Sequence, residues 1–303
     1  MKKNVLLTGA NGMVGSFLSS KLKNQFNLYK ISKKKNVNNN VLSINFLNKN
    51  IKKNFKKINN FFTPEVIIHC AAITNIDYCE KNKNECNKVN YIILRKMVKF
   101  FPKAKIVFIS SDAVFSKKTR IESSKTSPLN YYGKVKVKAE KFLVRNKINN
   151  CIIRCTPVGF EGSNKKKTLV SWIYNSLKKN FFINLFDDNF FTPISLNFLS
   201  KVIIKVIKKD TQGIIHVGSK NVVSKYNFGL LICKKFKFCN NHILKSSLLD
   251  YKFLSKRSLN QSLVSTNLER ILKLKLPTIK KIIDDLYYEK ILKNKNNIVR
   301  KLN

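Results

Sequence analysis

"NVLLTGANGMVGSFLSSKL" (residues 4–22) joins a short apolar run to a helix-like segment through Gly9, Gly12 and Gly15. Glycines let a backbone turn tightly and approach a pyrophosphate, and the helix that follows offers free N–H groups and the positive end of its dipole. The spacing is G-x-x-G-x-x-G, so the first gap is one residue longer than in the common dinucleotide-binding fingerprint. The stretch predicts a nucleotide-binding turn between the first strand and the first helix.

The first half of the chain continues as apolar runs of strand length separated by amphipathic segments. The predicted strands cover 4–8, 27–31, 41–44, 65–71, 105–110 and 151–155, and the predicted helices include 13–24, 84–101 and 129–146. Apolar strands that alternate with helices are typical of a parallel sheet covered on both faces. We therefore predict an α/β fold whose residues 1–157 form a Rossmann-type, doubly wound domain.

The alternation of predicted strands and helices ends near residue 157, and predicted helices outnumber strands in the rest of the chain. The helical segments are 166–179, 196–208, 224–236 and 277–293, with brief strands at 182–186 and 213–217. This pattern predicts a smaller mixed α/β lobe over residues 158–303, packed on the first domain, which would bind the substrate.

The net charge of +44 in 303 residues raises the question of a nucleic-acid partner. The lysines are spread along the whole chain together with Asn, Ile and Phe, and no zinc-finger, RNA-binding or basic-zipper pattern accompanies them. Compositional bias explains this distribution better than nucleic-acid binding does. A basic surface would still concentrate an anionic small substrate.

Several features predict a soluble, cytoplasmic protein with no membrane partner. The apolar run at the N-terminus is too short for a signal peptide, and no stretch approaches the ~18 apolar residues of a spanning helix. Seven cysteines without a C-x-x-C pair are typical of free thiols in a reducing compartment. His69, His216 and His242 stand apart in sequence, so no metal site is predicted.

The end of the second predicted strand reads "ISKKKN" (residues 31–36). NAD-preferring sites place a carboxylate at this point, on the ribose 2′-hydroxyl, whereas Ser32 and Lys33 to Lys35 could pair with a 2′-phosphate. NADPH is therefore favoured, with NADH left open. A simple solvated charge run is the alternative interpretation of these lysines.

The segment "SPLNYYGKVK" (residues 127–136) holds two adjacent tyrosines. Residues four apart lie on the same face of a helix, which pairs Tyr132 with Lys136 and Tyr131 with Val135. A nearby ammonium group favours the phenolate, so we expect Lys136 to lower the pKa of Tyr132. Tyr132 is therefore the predicted catalytic acid.

"FISSDAVF" (residues 108–115) places Ser110 and Ser111 at the end of the fifth predicted strand. Ligands of open parallel sheets bind at this end, where a hydroxyl can hold a substrate carbonyl beside Tyr132. Ser111, Tyr132 and Lys136 follow the glycine turn in the order typical of the short-chain dehydrogenase/reductase superfamily.

Within that superfamily, the sequence resembles the dTDP-4-dehydrorhamnose reductase family over nearly its whole length. The segments that carry the resemblance are "VIIHCAAITNIDYCE" (66–80), "ISSDAVF" (109–115) with "SPLNYYGKVKVKAE" (127–140), "NLFDDNFFTPISLNFLSKVI" (184–203) and "SKRSLNQSLVSTNLERILKLKLP" (255–277). The departures are Ala113 and Pro157, where the family has aromatic residues, and Ser258, where it has proline. Ala113 and Pro157 leave the identity of the sugar open.

The resemblance implies an NADPH-dependent reductase of a nucleotide-linked 4-keto-6-deoxysugar, in deoxysugar or surface polysaccharide biosynthesis. It implies catalysis by Ser111, Tyr132 and Lys136, and substrate contacts from Ser111, Asp112, Tyr132 and Arg257, the arginine beside the diphosphate. The implied cofactor contacts are Gly9, Asn11, Gly12, Met13, Val14, Gly15, Ser32, Lys33, Asn45, Phe46, Ala71, Ala72, Thr74, Tyr132 and Lys136.

Two other function classes stay open. One is a sugar-nucleotide epimerase or dehydratase on the same scaffold, although Ala113 and Val114 follow Asp112 where a dehydratase has an Asp-Glu pair. The other is a non-catalytic NADP-binding regulatory subunit, against which the complete Ser-Tyr-Lys set argues. A homodimer is also left open.

Overall fold

The computed structural model describes residues 1–33, 41–48, 51–116 and 120–302, without the side chains of residues 57 and 293–302. Lys34 and Lys35 of the predicted 2′-phosphate site lie outside this part of the chain. None of the helices described is long and apolar enough to cross a membrane.

The first half of the chain alternates strands and helices as the sequence predicts. Its strands are β1 (Asn4–Thr8), β2 (Asn27–Ser32), β3 (Val41–Ser43), β4 (Val66–His69), β5 (Lys105–Ile109) and β6 (Asn150–Val158). Its helices are α1 (Met13–Leu22), α2 (Ile51–Phe61), α3 (Ile76–Lys81), α4 (Lys83–Asn87), α5 (Ile93–Phe100) and α6 (Tyr131–Arg145), with a π-helical turn over Lys88–Ile92.

The second half contains more helix, with short strands between. Its helices are α7 (Leu169–Lys178), α8 (Leu196–Lys208), α9 (Lys225–Phe236), α10 (Thr266–Leu272) and α11 (Ile279–Leu302). Its strands are β7 (Ile183–Phe186), β8 (Phe190–Phe191), β9 (Pro193–Ser195), β10 (Gly213–Val217), β11 (Val223–Ser224), β12 (Ile243–Ser246) and β13 (Asn260–Gln261).

The large sheet is parallel and has the order β10-β6-β5-β4-β1-β2-β3, with β9 paired to the end of β6. The order reverses direction between β1 and β4. In open α/β sheets a ligand binds in the crevice at the carboxyl ends of the strands, at such a switch point. The predicted Rossmann-type, doubly wound fold is confirmed, and the switch point lies beside the glycine turn.

Each face of this sheet is covered by its own set of helices. On one face α2, α5 and α6 contribute Phe55, Leu94 and Ala139 to an apolar cluster with β1 and β5. On the other face α1 and α8 contribute Leu18 and Val202 to a second cluster. The helix α6, which carries Tyr132 and Lys136, and the glycine-loop helix α1 are therefore held on opposite sides of one sheet.

A smaller lobe forms around an apolar cluster from α7, α9 and α11. The strand predicted at 213–217 does not belong to this lobe: β10 pairs with β6 at the edge of the large sheet, and α8 covers the face behind it. The chain thus returns to the large sheet after residue 157, because the apolar face of α8 completes the cover of that sheet. The division of the chain at residue 157 stays a prediction.

Candidate active site

A cavity of 440 Å³ opens at the switch point of the sheet, between the glycine loop and the catalytic segment. Of the predicted site residues, it brings together Gly9, Gly12, Met13, Val14, Gly15, Ala72, Thr74, Ser111, Asp112, Tyr132 and Lys136. Ala113 and Pro157, which replace the aromatic residues of the related family, also line it. A larger cavity, of 590 Å³, lies behind α1 and contains none of the predicted catalytic residues.

The glycine loop has the close packing that a dinucleotide cradle requires. A Cβ atom at Gly15 would collide with the carbonyl oxygen of Gly9, so only glycine lets the first turn of α1 sit on the loop. Gly12 lies at the N-cap of α1, where no side chain caps the helix. The helix N-terminus therefore keeps donors for a phosphate, and the residues present fit a nicotinamide dinucleotide.

The N-terminus of α6 places one tyrosine in the cavity and leaves the other outside. The side chain of Asn130 caps the helix by accepting a hydrogen bond from the Gly133 N–H at 3.0 Å. A side chain at Gly133 would collide with the carbonyl oxygen of Ala113, so glycine allows the helix to contact the segment after β5. Tyr132 consequently faces Ser111, whereas the ring of Tyr131 lies 5.8 Å from Lys83 Nζ.

The prediction that the pKa of Tyr132 lies below its ordinary value is wrong for this structure. Burial raises the pKa of Tyr132, and a hydrogen bond with the Ser111 side chain opposes that shift only in part. Lys136 donates from Nζ to the Ile109 carbonyl oxygen at 2.8 Å and stands 5.9 Å from the centroid of the Tyr132 ring. A raised pKa keeps the phenol protonated at neutral pH, which suits a group that must donate a proton to a substrate.

Burial also acts on Lys136 itself, whose pKa it lowers to about 8. The Phe108 ring, whose centroid lies 4.7 Å from Nζ, and the Ile109 carbonyl fix the position of the ammonium group. Lys136 is therefore charged at neutral pH and loses its charge as the pH rises through about 8.

This titration predicts the pH dependence of the enzyme. We expect kcat/KM for reduction to fall as the pH rises above about 8, because the ammonium that stabilises the developing Tyr132 phenolate is lost. Steady-state rates measured at constant ionic strength test this. The Lys136→Met variant should have a low kcat/KM at every pH and should not show this decrease above pH 8. A wild-type kcat/KM that stays constant well above pH 8 would contradict the role given to Lys136.

Asp112 orients Ser111, the serine predicted to act in catalysis. The Ser111 hydroxyl donates to Asp112 Oδ1 at 2.7 Å and accepts from the Ala113 N–H at 3.1 Å. Asp112 Oδ2 accepts from the Thr156 hydroxyl at 2.6 Å. The Asp112 carboxylate, which is predicted to contact the substrate, thus links the end of β5 to β6 next to Ser111.

Other predicted residues lie outside the cavity lining. Ser32 is buried at the end of β2, where its carbonyl oxygen accepts from the Ile44 N–H, and Lys33 beside it is exposed. Phe46 packs in the core, and the Asn45 side chain accepts from the Leu47 N–H. The remaining two of this group, Asn11 and Ala71, lie in the loops after β1 and β4.

Arg257 is bound to another residue rather than placed in the cavity. Its Nη2 donates to Asp77 Oδ2 at 2.8 Å, and its guanidinium carbon lies 3.9 Å from the centroid of the Phe253 ring. Asp77 Oδ1 also accepts from the Ser255 N–H at 3.2 Å. In this structure the arginine joins the C-terminal segment to α3, so its contact with a diphosphate stays a prediction.

Sequence reasoning missed Asn90, which lies in the π-helical turn and shapes the loop after β4. Its side chain accepts from the Ile73 N–H at 2.8 Å and donates to the Ile73 carbonyl oxygen at 2.9 Å. π-Helical turns are frequent at functional sites, where they redirect a side chain. This pair of bonds fixes the loop that carries Ala72 and Thr74 into the cavity.

The loop after β6 was also missed. Asn164, Lys166, Lys167 and Thr168 line the cavity, and the Asn164 N–H donates to the Asn11 carbonyl oxygen at 3.0 Å. The signal was present as "GSNKKKT" (residues 162–168), but a basic run carries little information in a lysine-rich chain.

A comparison with protein families matches residues 2–291 to the family described as RmlD substrate binding domain. A reductase of Haloferax volcanii, named as the probable low-salt glycan biosynthesis reductase Agl14, is 25% identical over 232 residues, which is 74% of this chain and 76% of the relative. The methionine adenosyltransferase 2 subunit beta of Danio rerio is 23% identical over 60% of this chain and 59% of its own length.

Among solved structures, the dTDP-4-dehydrorhamnose reductase of Bacillus anthracis in complex with NADP superposes with a TM-score of 0.84. It is 23% identical, and the match covers 95% of this chain and 100% of that one. At this identity the likeness establishes the shared fold.

Proposed function

The chain belongs to the RmlD substrate binding domain family, and we propose from this that it is an NADPH-dependent reductase of a nucleoside diphosphate 4-keto-6-deoxysugar. The observation that carries the proposal is one cavity that contains the glycine loop together with Ser111, Tyr132 and Lys136. A nucleotide fold, a proton donor and a basic side chain that holds its charge at neutral pH are the parts that carbonyl reduction needs.

Each residue has a defined task in this reaction. NADPH, when bound at the glycine loop, supplies a hydride for the carbonyl carbon. Tyr132 gives its phenolic proton to the carbonyl oxygen, and the Ser111 hydroxyl turns its single proton from Asp112 Oδ1 to that oxygen and so orients it. Lys136 stabilises the phenolate that forms, and the Ile109 carbonyl holds its ammonium group in place. Asp112 keeps Ser111 in position.

A non-catalytic NADP-binding subunit is the second candidate, because a relative named as a methionine adenosyltransferase subunit matches 60% of the chain. A subunit that only binds a nucleotide has no need for a proton donor buried beside its cofactor cavity. The placement of Tyr132 at 7% exposure, next to Ser111, favours the enzyme.

A cofactor preference follows from the end of β2. We expect higher kcat/KM with NADPH than with NADH, because Lys33 is exposed there and each charge-assisted contact with a 2′-phosphate contributes ~1.5 to 3 kcal/mol. Lys33→Glu should reduce or reverse the preference, whereas Lys99→Glu, on the surface of α5, should leave it unchanged. Equal efficiency of the wild type with both cofactors at moderate salt would refute this assignment.

The proposed function is tested by NADPH consumption with a panel of nucleoside diphosphate 4-keto-6-deoxysugars. We expect turnover with a nucleotide-linked sugar and very poor turnover with the free keto sugar. The panel includes dTDP-4-dehydrorhamnose and 4-keto sugars of other configuration, because Ala113 and Pro157 leave more room in the cavity than aromatic residues would. A clear preference for dTDP-4-dehydrorhamnose would show that these two positions do not alter specificity.

We also propose that the enzyme acts in the cytoplasm, where its free thiols and its predicted sugar-nucleotide substrate are both expected. All seven cysteines are free, and five of them are buried. This composition suits a reducing compartment.

A further inference from the structure

The segment between β6 and α7, residues 159–168, which we call the lysine loop, packs directly on the glycine loop. A Cβ atom built on Gly162 would lie 2.4 Å from the carbonyl oxygen of Gly12. Two residues later, the Asn164 N–H donates to the Asn11 carbonyl oxygen at 3.0 Å. The two backbones are therefore in contact at the turn where a dinucleotide places its pyrophosphate.

The lysine loop is fixed on both sides of its two central lysines, Lys166 and Lys167. Before them, the Lys166 N–H donates to the side-chain oxygen of Asn164 at 3.1 Å. After them, the Thr168 hydroxyl donates to the Gly159 carbonyl oxygen at 2.7 Å. Since consecutive Cα atoms are ~3.8 Å apart, Lys166 lies within about 8 Å of Asn164, which contacts the glycine loop.

Both lysines line the 440 Å³ cavity, and neither forms an ion pair with another described residue. Among the described residues, the cavity lining includes three lysines, the third being Lys136, and one carboxylate, that of Asp112. The oxygens of Asp112 already accept hydrogen bonds from two hydroxyl groups. Positive charge is therefore in excess around the cavity, which favours an anionic ligand.

The start of α7 adds to this preference. Leu169 and Val170, in the first turn of the helix, line the cavity next to the two lysines. The first N–H groups of a helix have no intrahelical partner, and the helix dipole places partial positive charge there. Two cations just before a helix N-terminus are unfavourable unless an anion binds beside them.

We propose that Lys166 and Lys167 bind the pyrophosphate of the nicotinamide dinucleotide together with the glycine loop. The inference deepens the proposed function, since it assigns two further residues to the cofactor of that reaction. The contacts of Gly162 and Asn164 with the glycine loop favour the cofactor over the diphosphate of the sugar nucleotide. Because α7 belongs to the smaller lobe, a cofactor bound in this way links that lobe to the large sheet.

The test compares NADPH binding by calorimetry in the wild type and in the double variant Lys166→Met with Lys167→Met. We expect the double variant to bind NADPH about tenfold to a hundredfold more weakly, the range of one charge-assisted contact. Adenosine 2′-monophosphate carries the 2′-phosphate of NADPH but lacks the pyrophosphate, so both proteins should bind it equally. Unchanged NADPH affinity would overturn the proposal, and so would an equal loss for both ligands, because overall charge would then explain the effect.

The same loop offers a matched control. Lys165 is exposed and is not among the described residues that line the cavity, so Lys165→Met should leave NADPH affinity unchanged. Replacing Lys166 and Lys167 by Arg keeps both charges and should retain most of the affinity. A loss in Lys165→Met as large as that in the double variant would contradict the assignment to these two lysines.

A titration of the NADPH-saturated enzyme with dTDP-glucose separates the cofactor from the sugar nucleotide. Once NADPH is bound, the double variant should bind dTDP-glucose within a few-fold of the wild type. If dTDP-glucose affinity falls while NADPH affinity is kept, the lysines bind the substrate diphosphate and the proposal is wrong. If the wild type does not bind NADPH, the proposed function itself is contradicted.

Discussion

Replacing Tyr132 by Phe is expected to lower kcat by about 10² to 10⁴ while leaving NADPH affinity within a few-fold. The change deletes only the phenolic oxygen beside Ser111, which belongs to the proposed proton donor. The ring stays in its buried place in the core cluster, so the cavity keeps its shape. Single-turnover rates together with an NADPH titration separate the chemical step from cofactor binding.

Tyr131→Phe is the matched control for this variant. Tyr131 is the first residue of α6 and Tyr132 the second, but only Tyr132 lines the cavity. The phenol of Tyr131 lies on the Lys83 side of the helix, so its loss should leave kcat near the wild-type value. If the Tyr131 change proved the more damaging of the two, the assignment of the acid would be wrong.

Replacing Glu140 by Ala is expected to destabilise the fold by about 3 to 5 kcal/mol. Glu140 lies on α6, four residues after Lys136, and forms a buried ion pair with Arg154 at 2.7 Å. It also accepts from the hydroxyl of Ser110, the neighbour of Ser111, at 2.5 Å. Its loss leaves the Arg154 charge buried without its carboxylate partner. The free energy of unfolding from urea titrations measures the effect.

The double variant Glu140→Met with Arg154→Met tests the cause of this loss. Removing both charges avoids the stranded cation, so the double variant should be more stable than Glu140→Ala alone. If the double variant were less stable than Glu140→Ala, the loss of stability would come from disturbed side-chain packing rather than from the unpaired Arg154 charge.

The glycine loop and the Ser-Tyr-Lys set were predictable because each depends on local spacing. Gly9 and Gly12 fall between β1 and α1, Gly15 lies in the first turn of α1, and Tyr132 and Lys136 share a helix face through a separation of four residues. The end of β5 then brings Ser111 to the same cavity. The spacing of residues along a helix, and the rule that ligands bind at the carboxyl ends of parallel strands, are enough to predict this part of the site.

The rest depends on contacts between residues far apart in the chain. Arg257 pairs with Asp77, which lies 180 positions earlier in the chain. The sequence around Arg257 does not show whether the guanidinium binds this carboxylate or a diphosphate. The raised pKa of Tyr132 follows from burial, which spacing alone does not reveal. The return of β10 to the large sheet could not be predicted either, since its apolar residues would suit a strand in either lobe.

The most direct test of reductase chemistry follows deuterium from NADPH labelled at the transferable hydride position into a nucleoside diphosphate 4-keto-6-deoxysugar. The account predicts one deuterium on the carbon that carried the ketone, in the wild type and in Tyr131→Phe, with transfer in Tyr132→Phe slower by about 10² to 10⁴. Mass spectrometry of the released sugar detects the label. Tight NADPH binding without transfer of deuterium to any sugar of the panel would contradict the account and identify a nucleotide-binding subunit.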